Sequence, residues 1–176
     1  GITVHLASKF SRNAQSNYDH IFFSGSIDSW FNFEFGRLDY RTLDFQLERL
    51  DGDFQGVAVM NYSDAEIPWT RISEHKHFAP WEHHDKTIIY REFSRTCTET
   101  DIPYYPIRLL KEKLLLQKYV DIANNESGVT FLGRLGTYRY LDMHVTIAEA
   151  LEVAQIFQES IAKKQRMPSF VSNPLN

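Results

Sequence analysis

The sequence predicts an α+β fold, with its strands gathered early in the chain and its helices late. Three observations lead there. Between residues 18 and 95, strand-like runs follow one another with turn signals and no helical stretch between them. After "DIPYYPI" (101–107) the apolar spacing switches from two residues to the three-and-four spacing of a helix. A short apolar run, "GVTFLG", then separates that helix from a second one.

Taken in order, "HIFFSG" (20–25) reads as a buried-type strand closed by Gly25. "TLDFQLERL" (42–50) alternates, with Leu43, Phe45 and Leu47 on one side and Asp44, Gln46 and Glu48 on the other. That period of two predicts a half-buried strand. "FQGVAVMNY" (54–62), "WTRISEHKHF" (69–78) and "KTIIYREFSR" (86–95) follow as strands, bounded by turn signals at Asp51-Gly52, Pro68 and Pro80. Strands so close in sequence are expected to pair antiparallel. Leu109, Leu110, Leu114, Leu115, Tyr119 and Ile122 then mark one face of a helix. A second helix is predicted over 144–164, burying Ile147, Leu151, Ala154, Phe157 and Ile161. The expected division is a sheet lobe over 1–105, helix–strand–helix over 106–166, and a tail over 167–176 that frays or wraps.

The 176 residues suit one domain or two small lobes, and 43% hydrophobic residues can fill a core. A net charge of −4 argues against a general nucleic-acid binder. No apolar run is long enough to span a membrane. The start lacks a basic-then-apolar leader pattern. Cys97 has no partner for an internal disulfide, so a reducing cytoplasm is the expected location. Gly1 in place of methionine, with a strand-like run beginning at once, predicts a piece of a longer chain.

The chemistry gathers in "GRLGTYRYLDM" (133–143), at the start of the last helix. A helix N-terminus offers unpaired N–H groups and the positive end of a dipole, and glycines let a ligand approach the backbone. Thr146 and Glu149 fit a capping box, so Asp142 is not required as the cap. Arg134, Tyr138, Arg139, Tyr140 and Asp142 are then left without a structural duty. A plain turn and a binding site both remain open on spacing alone. Arg71 lies opposite Thr70 and Ile72 on its strand, so it faces solvent or a cleft if those face the core. His75 and His77 share a strand face, and His83-His84 sit in a loop near Pro80, but three or four secured ligands are missing and no metal is expected. Cys97 has no identified base, and no G-x-S-x-G, P-loop or G-x-G-x-x-G occurs.

Seven stretches in this order, "FSGSIDSWF", "GRLDYRTLDF", "DFQGVAVMNY", "TRISEHKHF", "EFSR", "DIPYYPI" and "GRLGTYRYLDM", resemble bacterial UDP-galactopyranose mutases. The resemblance runs from Tyr18 through the final helix. One departure is Gly25-Ser26-Ile27-Asp28, where the family usually reads Gly-Pro-Ile-Asp. A larger one is that the family's N-terminal Rossmann lobe, with its G-x-G-x-x-G, and its helical lobe are not present. The resemblance therefore implies the C-terminal half of such an enzyme, whose helix–strand–helix segment completes an FAD-binding Rossmann-like lobe.

It also implies an isomerase that interconverts UDP-galactopyranose and UDP-galactofuranose on reduced FAD, through a flavin N5–sugar adduct. Arg71 is implied as the catalytic and diphosphate-binding residue. Tyr105 and Tyr140 are implied as phosphate donors, and Asn61 and Glu92 as residues of the sugar end. Arg134, Leu141, Asp142 and Met143 are implied as FAD contacts. The implied partners are the nucleotide sugar, the N-terminal half of the same enzyme and a second copy in a homodimer, with no nucleic acid. This piece by itself is expected to be inactive and to retain no FAD. Two other classes stay open: an FAD-dependent oxidoreductase of the amine-oxidase-like group, and a non-catalytic nucleotide-sugar binding module.

Overall fold

The computed structural model describes residues 1–176. The fold is α+β and falls into two compact units, Tyr40–Tyr105 and a second unit made of Gly1–Asp39 with Pro106–Asn176. The sequence expectation counted residues 1–39 with the sheet lobe. The structure groups them with the C-terminal segment, because β1 (Ile21–Phe23) pairs with the late strand β7 (Val129–Phe131). That pairing is parallel, with Ile21 opposite Val129 and Phe23 opposite Phe131. The expectation of antiparallel pairing therefore fails for β1, whose partner lies far along the chain.

The sheet unit holds β2 (Tyr40–Asp51), β3 (Val59–Asn61), β4 (Arg71–Glu74), β5 (Lys86–Thr96) and β6 (Tyr105–Pro106), in the order β3-β4-β5-β2-β6. The three pairings joining β2 to β5, β3 to β4 and β4 to β5 are antiparallel. "WTRISEHKHF" is strand only at 71–74, and His75–Phe78 turns as a 3-10 helix. One sheet face carries Ile72, Glu74, Thr87 and Ile89, all buried. The other carries Phe45 and Leu47, which are 46% and 38% exposed. The alternation of β2 is as expected, but its apolar side is the more open one. Residues following β2 instead fold toward Glu74, whose carboxylate accepts N–H bonds from Phe54, Gln55 and Gly56 and a 2.7 Å bond from the Thr87 hydroxyl. A buried carboxylate needs such donors, and they draw that face inward.

In the other unit, Phe131 of β7 is the centre of an aromatic core. Its ring lies within 6.0 Å of Phe23, Trp30, Phe31 and Phe170, centroid to centroid. Offset and edge-on arrangements of this kind add to simple burial. The short helix α1 (Ile27–Trp30) supplies Trp30, and the long helices are α2 (Leu110–Asn125) and α4 (Met143–Lys163), with the four-residue α3 (Gly133–Gly136) between β7 and α4. Ser26 has φ −64°, a value within the range that a proline ring imposes, so this backbone suits proline as well as serine.

Both long helices bury faces that differ in part from the expected ones, Tyr119 being the expected residue of α2 that is buried. In α2 the buried set is Glu112, Leu116, Tyr119, Val120 and Ala123, while Leu110 and Leu114 are exposed. Tyr119 decides the rotation, since its hydroxyl donates to the Gly36 carbonyl at 2.6 Å and accepts from the Phe35 N–H at 3.1 Å. In α4 only Val153 is fully buried, and Ile147, Leu151 and Ile161 are exposed. The tail wraps. Phe131 N–H donates to the Ser169 carbonyl, the Thr130 hydroxyl donates to Pro168, and the Arg108 guanidinium holds the carbonyls of Pro174 and Asn176.

Candidate functional site

In the sheet unit the register aligns three of the sequence-expected residues in one row. Asn61 of β3 lies opposite Arg71 of β4, and Arg71 lies opposite Glu92 of β5. Directly opposed residues project from the same face, so the row continues to Phe45 of β2, the partner of Glu92. Ile72 is 1% exposed, which turns Arg71 to the other, more open face, as its strand position implied. The Arg71 Nε donates to the Asn61 amide oxygen at 2.9 Å, and its Nη1 lies 3.6 Å from a Glu92 carboxylate oxygen. Glu92 is buried, while Arg71 keeps about a third of its side chain exposed. The guanidinium is thus oriented from two sides and still presents N–H groups outward, a geometry suited to paired phosphate oxygens.

Tyr105 does not join this row. It opens β6, on the far side of β2, so three strand spacings, about 14 Å, separate its strand from that of Arg71. Near it, the Tyr104 ring packs edge-on against Phe45 at 6.1 Å.

In the other unit, the segment 133–143 collects the remaining expected residues. Gly133 sits at φ +72° with open space where a side chain would project. Gly136 is needed for a different reason, because a Cβ there would come 2.7 Å from the Phe23 carbonyl. The Arg134 Nη2 donates to the Leu141 carbonyl at 2.6 Å, and its guanidinium carbon lies 4.9 Å from the Tyr140 ring centroid. Arg134, Tyr140 and Leu141 are therefore in one cluster, with Asp142 and Met143 next to it at the start of α4. Leu141 is buried and contributes its carbonyl; Tyr140 and Met143 are 60% and 82% exposed.

Asp142 stands at the N-cap position, and its side chain makes no cap hydrogen bond. The expected capping box does not form. Thr146 donates back to the Asp142 carbonyl, and Glu149 is engaged elsewhere, on Arg139 and Ser172. The first N–H bonded back within this helix is that of Thr146, so those of Met143, His144 and Val145 have no partner in the helix. Those donors, the helix dipole, Arg134 and the open backbone at Gly133 fit an anionic or electron-rich group.

Two residues without an apparent duty in the sequence have one in the structure. The buried Tyr138 hydroxyl donates to the Asp39 carbonyl at 2.5 Å and has the Ile107 carbonyl at 2.7 Å. Burial first, and then the charge of Glu112, push its pKa up, so it remains a donor. Arg139 pairs with Glu149 at 2.6 Å. His75 and His77, expected on a strand, lie in the 3-10 turn. Asp53, Glu74 and His77 have ligand atoms within 4.8 Å of one another. Both Glu74 oxygens there already accept two bonds each, and the Lys76 ammonium is paired with Asp53.

The chain is thus an α+β protein whose two units each place a half-buried arginine beside a tyrosine or a carboxamide. More particularly, the family model for UDP-galactopyranose mutase matches residues 1–140, and the chain belongs to that family. A probable UDP-galactopyranose mutase of Klebsiella pneumoniae is 52% identical over 169 residues, covering 96% of this chain and 44% of that protein. A dTDP-fucopyranose mutase of Escherichia coli is also 52% identical, over 158 residues, covering 89% of this chain and 42% of that protein. A UDP-galactopyranose mutase of Mycoplasma pneumoniae is 33% identical over 141 residues, covering 77% of this chain and 35% of that protein. The chain spans less than half the length of each of these relatives. No helix is long and apolar enough to cross a membrane.

Proposed function

We propose that the protein containing this chain is a flavin-dependent mutase that interconverts the pyranose and furanose forms of a nucleotide-linked sugar, with UDP-galactose as the substrate. The observation that carries this reading is the in-register row Asn61–Arg71–Glu92, in a chain of the UDP-galactopyranose mutase family. Arg71 binds the diphosphate and stabilises it as it departs from the sugar, because a preoriented guanidinium needs little rearrangement as charge develops. Tyr105 and Tyr140 donate hydroxyls to the phosphates, and Asn61 and Glu92 contact the sugar. Arg134, the carbonyl-bearing Leu141, Asp142 and the N–H of Met143 hold FAD, and the segment 106–166 completes the lobe that binds it. A reduced flavin held by these residues would supply the nucleophilic chemistry at the anomeric carbon. The other half of the cofactor site comes from the N-terminal part of the same protein, so residues 1–176 by themselves do not turn over.

A second substrate is favoured by one specific observation: the relative named dTDP-fucopyranose mutase is as similar as the probable UDP-galactopyranose mutase, at 52%. The test uses the full-length protein with chemically reduced FAD and chromatographic separation of pyranose and furanose forms. Interconversion of UDP-galactose with higher kcat/KM than dTDP-fucose is the expected result. The opposite ranking would move the assignment to the deoxysugar, and no interconversion of either would overturn the mutase reading.

A further inference from the structure

We propose that Glu149 is a positioning residue for the 133–143 segment, its carboxylate locking that segment to the body of α4 and to the C-terminal tail. The proposal rests on the reading above that this segment meets flavin and nucleotide sugar. Glu149 lies in the second turn of α4, ten residues after Arg139 and 23 before Ser172. Each of its oxygens is committed to one of them. Oε2 accepts from the Arg139 Nη2 at 2.6 Å, and Oε1 accepts from the Ser172 hydroxyl at 3.1 Å. The ion pair is largely shielded, with side chains 13% and 19% exposed. An exposed pair of this kind contributes little. A charge-assisted bond out of solvent holds both partners in place much more firmly.

From Arg139 the connection continues to the site segment itself. Its Nε donates to the Thr137 hydroxyl at 3.2 Å, and that hydroxyl donates to the Gly133 carbonyl at 2.7 Å. Its backbone N–H donates to the Arg134 carbonyl. One carboxylate thus fixes a relay that reaches both the open glycine and the arginine beside Tyr140. The segment needs such a restraint. Tyr138 has φ +49°, an uncommon conformation for a non-glycine residue, and Tyr140 and Met143 on either side of Leu141 are 60% and 82% exposed. Arg139 also acts through its charge on Arg108. Burial, and then the charge of Arg139, pull Arg108 below its ordinary pKa, and Arg108 is the residue that holds the end of the tail.

The test is made on the full-length protein with Glu149→Ala, Glu149→Gln and Ser172→Ala. Backbone hydrogen exchange read by mass spectrometry is the first measurement, because it needs neither substrate nor turnover. Glu149→Ala is expected to speed exchange across 133–143 about tenfold, while β2 and β5 keep the wild-type rate. Kinetically, KM for the nucleotide sugar is expected to rise about tenfold, the scale of one lost bond to a charged group, with kcat within about twofold of wild type. Glu149→Gln, which keeps an acceptor for Arg139, and Ser172→Ala, which leaves the ion pair intact, are each expected to lie between the two and to fold if Glu149→Ala does not. Wild-type exchange in 133–143 for every folded variant, whatever the change in melting temperature, would overturn the proposal. Absence of turnover by the wild-type protein would sink the mutase reading while leaving the exchange result to decide on Glu149.

Discussion

Arg71 owes its usefulness to being held on two sides and open on the rest. Asn61 fixes the Nε edge and Glu92 stands behind Nη1, so the guanidinium plane is set before any anion arrives. In the full-length protein, Arg71→Ala is expected to raise the barrier to turnover by about 3 kcal/mol, the scale for losing one preorganised partner of a developing charge. Arg71→Lys is expected to recover only part of that, since an ammonium cannot bridge two oxygens. The buried Glu92 loses its counter-charge in the alanine variant, so stability is expected to fall as well, by about 1 kcal/mol, because the pair is half-open at 3.6 Å. Steady-state kinetics with thermal unfolding separates the two effects, and normal turnover by Arg71→Ala would remove the phosphate role. Glu74 is the residue where charge serves the fold. Burial by itself would raise its pKa, but bonds from the N–H groups of Phe54, Gln55 and Gly56 and from the Thr87 hydroxyl win, and bring it down from an ordinary 4.5 to about 2. A carboxyl whose folded pKa is depressed stabilises the fold above its unfolded pKa and loses that contribution as pH falls through the folded one. The difference corresponds to about 3 kcal/mol, present above pH 4.5 and lost between there and about pH 2. Glu74→Gln is expected to flatten the pH dependence of denaturant unfolding in that window. An unchanged acid limb in the variant would show that other carboxylates set it.

At the scale of elements, the segment between β7 and α4 decides between a turn and a site. If Tyr140 and Asp142 only finish a turn, Tyr140→Phe is silent and Asp142→Asn is mild, since asparagine caps about as well as aspartate. The structure sharpens the contrast: the Tyr140 ring stands over Arg134, a contact that phenylalanine keeps, and Asp142 makes no side-chain cap bond for asparagine to lose. In the full-length protein, Tyr140→Phe is therefore expected to weaken nucleotide-sugar binding by several-fold to about a hundredfold. Asp142→Asn is expected to alter flavin reduction, with its melting temperature near wild type. Unchanged binding and unchanged flavin reduction would return the segment to a turn. Much of this layout was legible in the sequence, because period-two alternation and Gly/Pro punctuation are local signals: β3 and β4 fall inside their predicted runs, β2 and β5 cover theirs and run one or two residues beyond, and Arg71 projects opposite Ile72. What stayed hidden depends on distant partners. The parallel pairing of β1 needs β7, more than a hundred residues on. The rotation of α2 was decided by Tyr119 reaching the 35–36 backbone, not by its leucines. The spacing of Thr146 and Glu149 suits a capping box, yet Arg139 and Ser172 compete for the carboxylate and take it. Tyr138 and Arg139 looked surplus because the carbonyls and the carboxylate they serve are not near them in sequence.

Across the whole molecule, the feature that stands apart from an ordinary small domain is how much apolar side chain faces outward. Leu110 and Leu114 of α2 are 76% and 63% exposed, and Ile147, Leu151 and Ile161 of α4 are each 59% exposed or more. These are residues at helical spacing, which is the pattern of a face that packs. Exposed apolar residues scattered singly are normal, whereas rows of them mark a surface that another body covers. The chain spans less than half of the relatives it matches, and the remainder of the polypeptide is the cover we propose. Residues 1–176 expressed by themselves are then expected to self-associate, binding an apolar fluorescent probe and sedimenting heavier as concentration rises. They are also expected to retain no yellow flavin through gel filtration, since only the α4 end of the proposed cofactor site is available. Supplying the remainder of the protein in trans should reverse all three: probe binding falls, sedimentation becomes independent of concentration, and flavin absorbance coelutes with the protein. The three readouts depend on one cause, so they must move together. A dispersed monomer that ignores the probe would show that these helix faces are tolerated in water, and flavin retained by residues 1–176 would show that the 133–143 segment holds the cofactor without help.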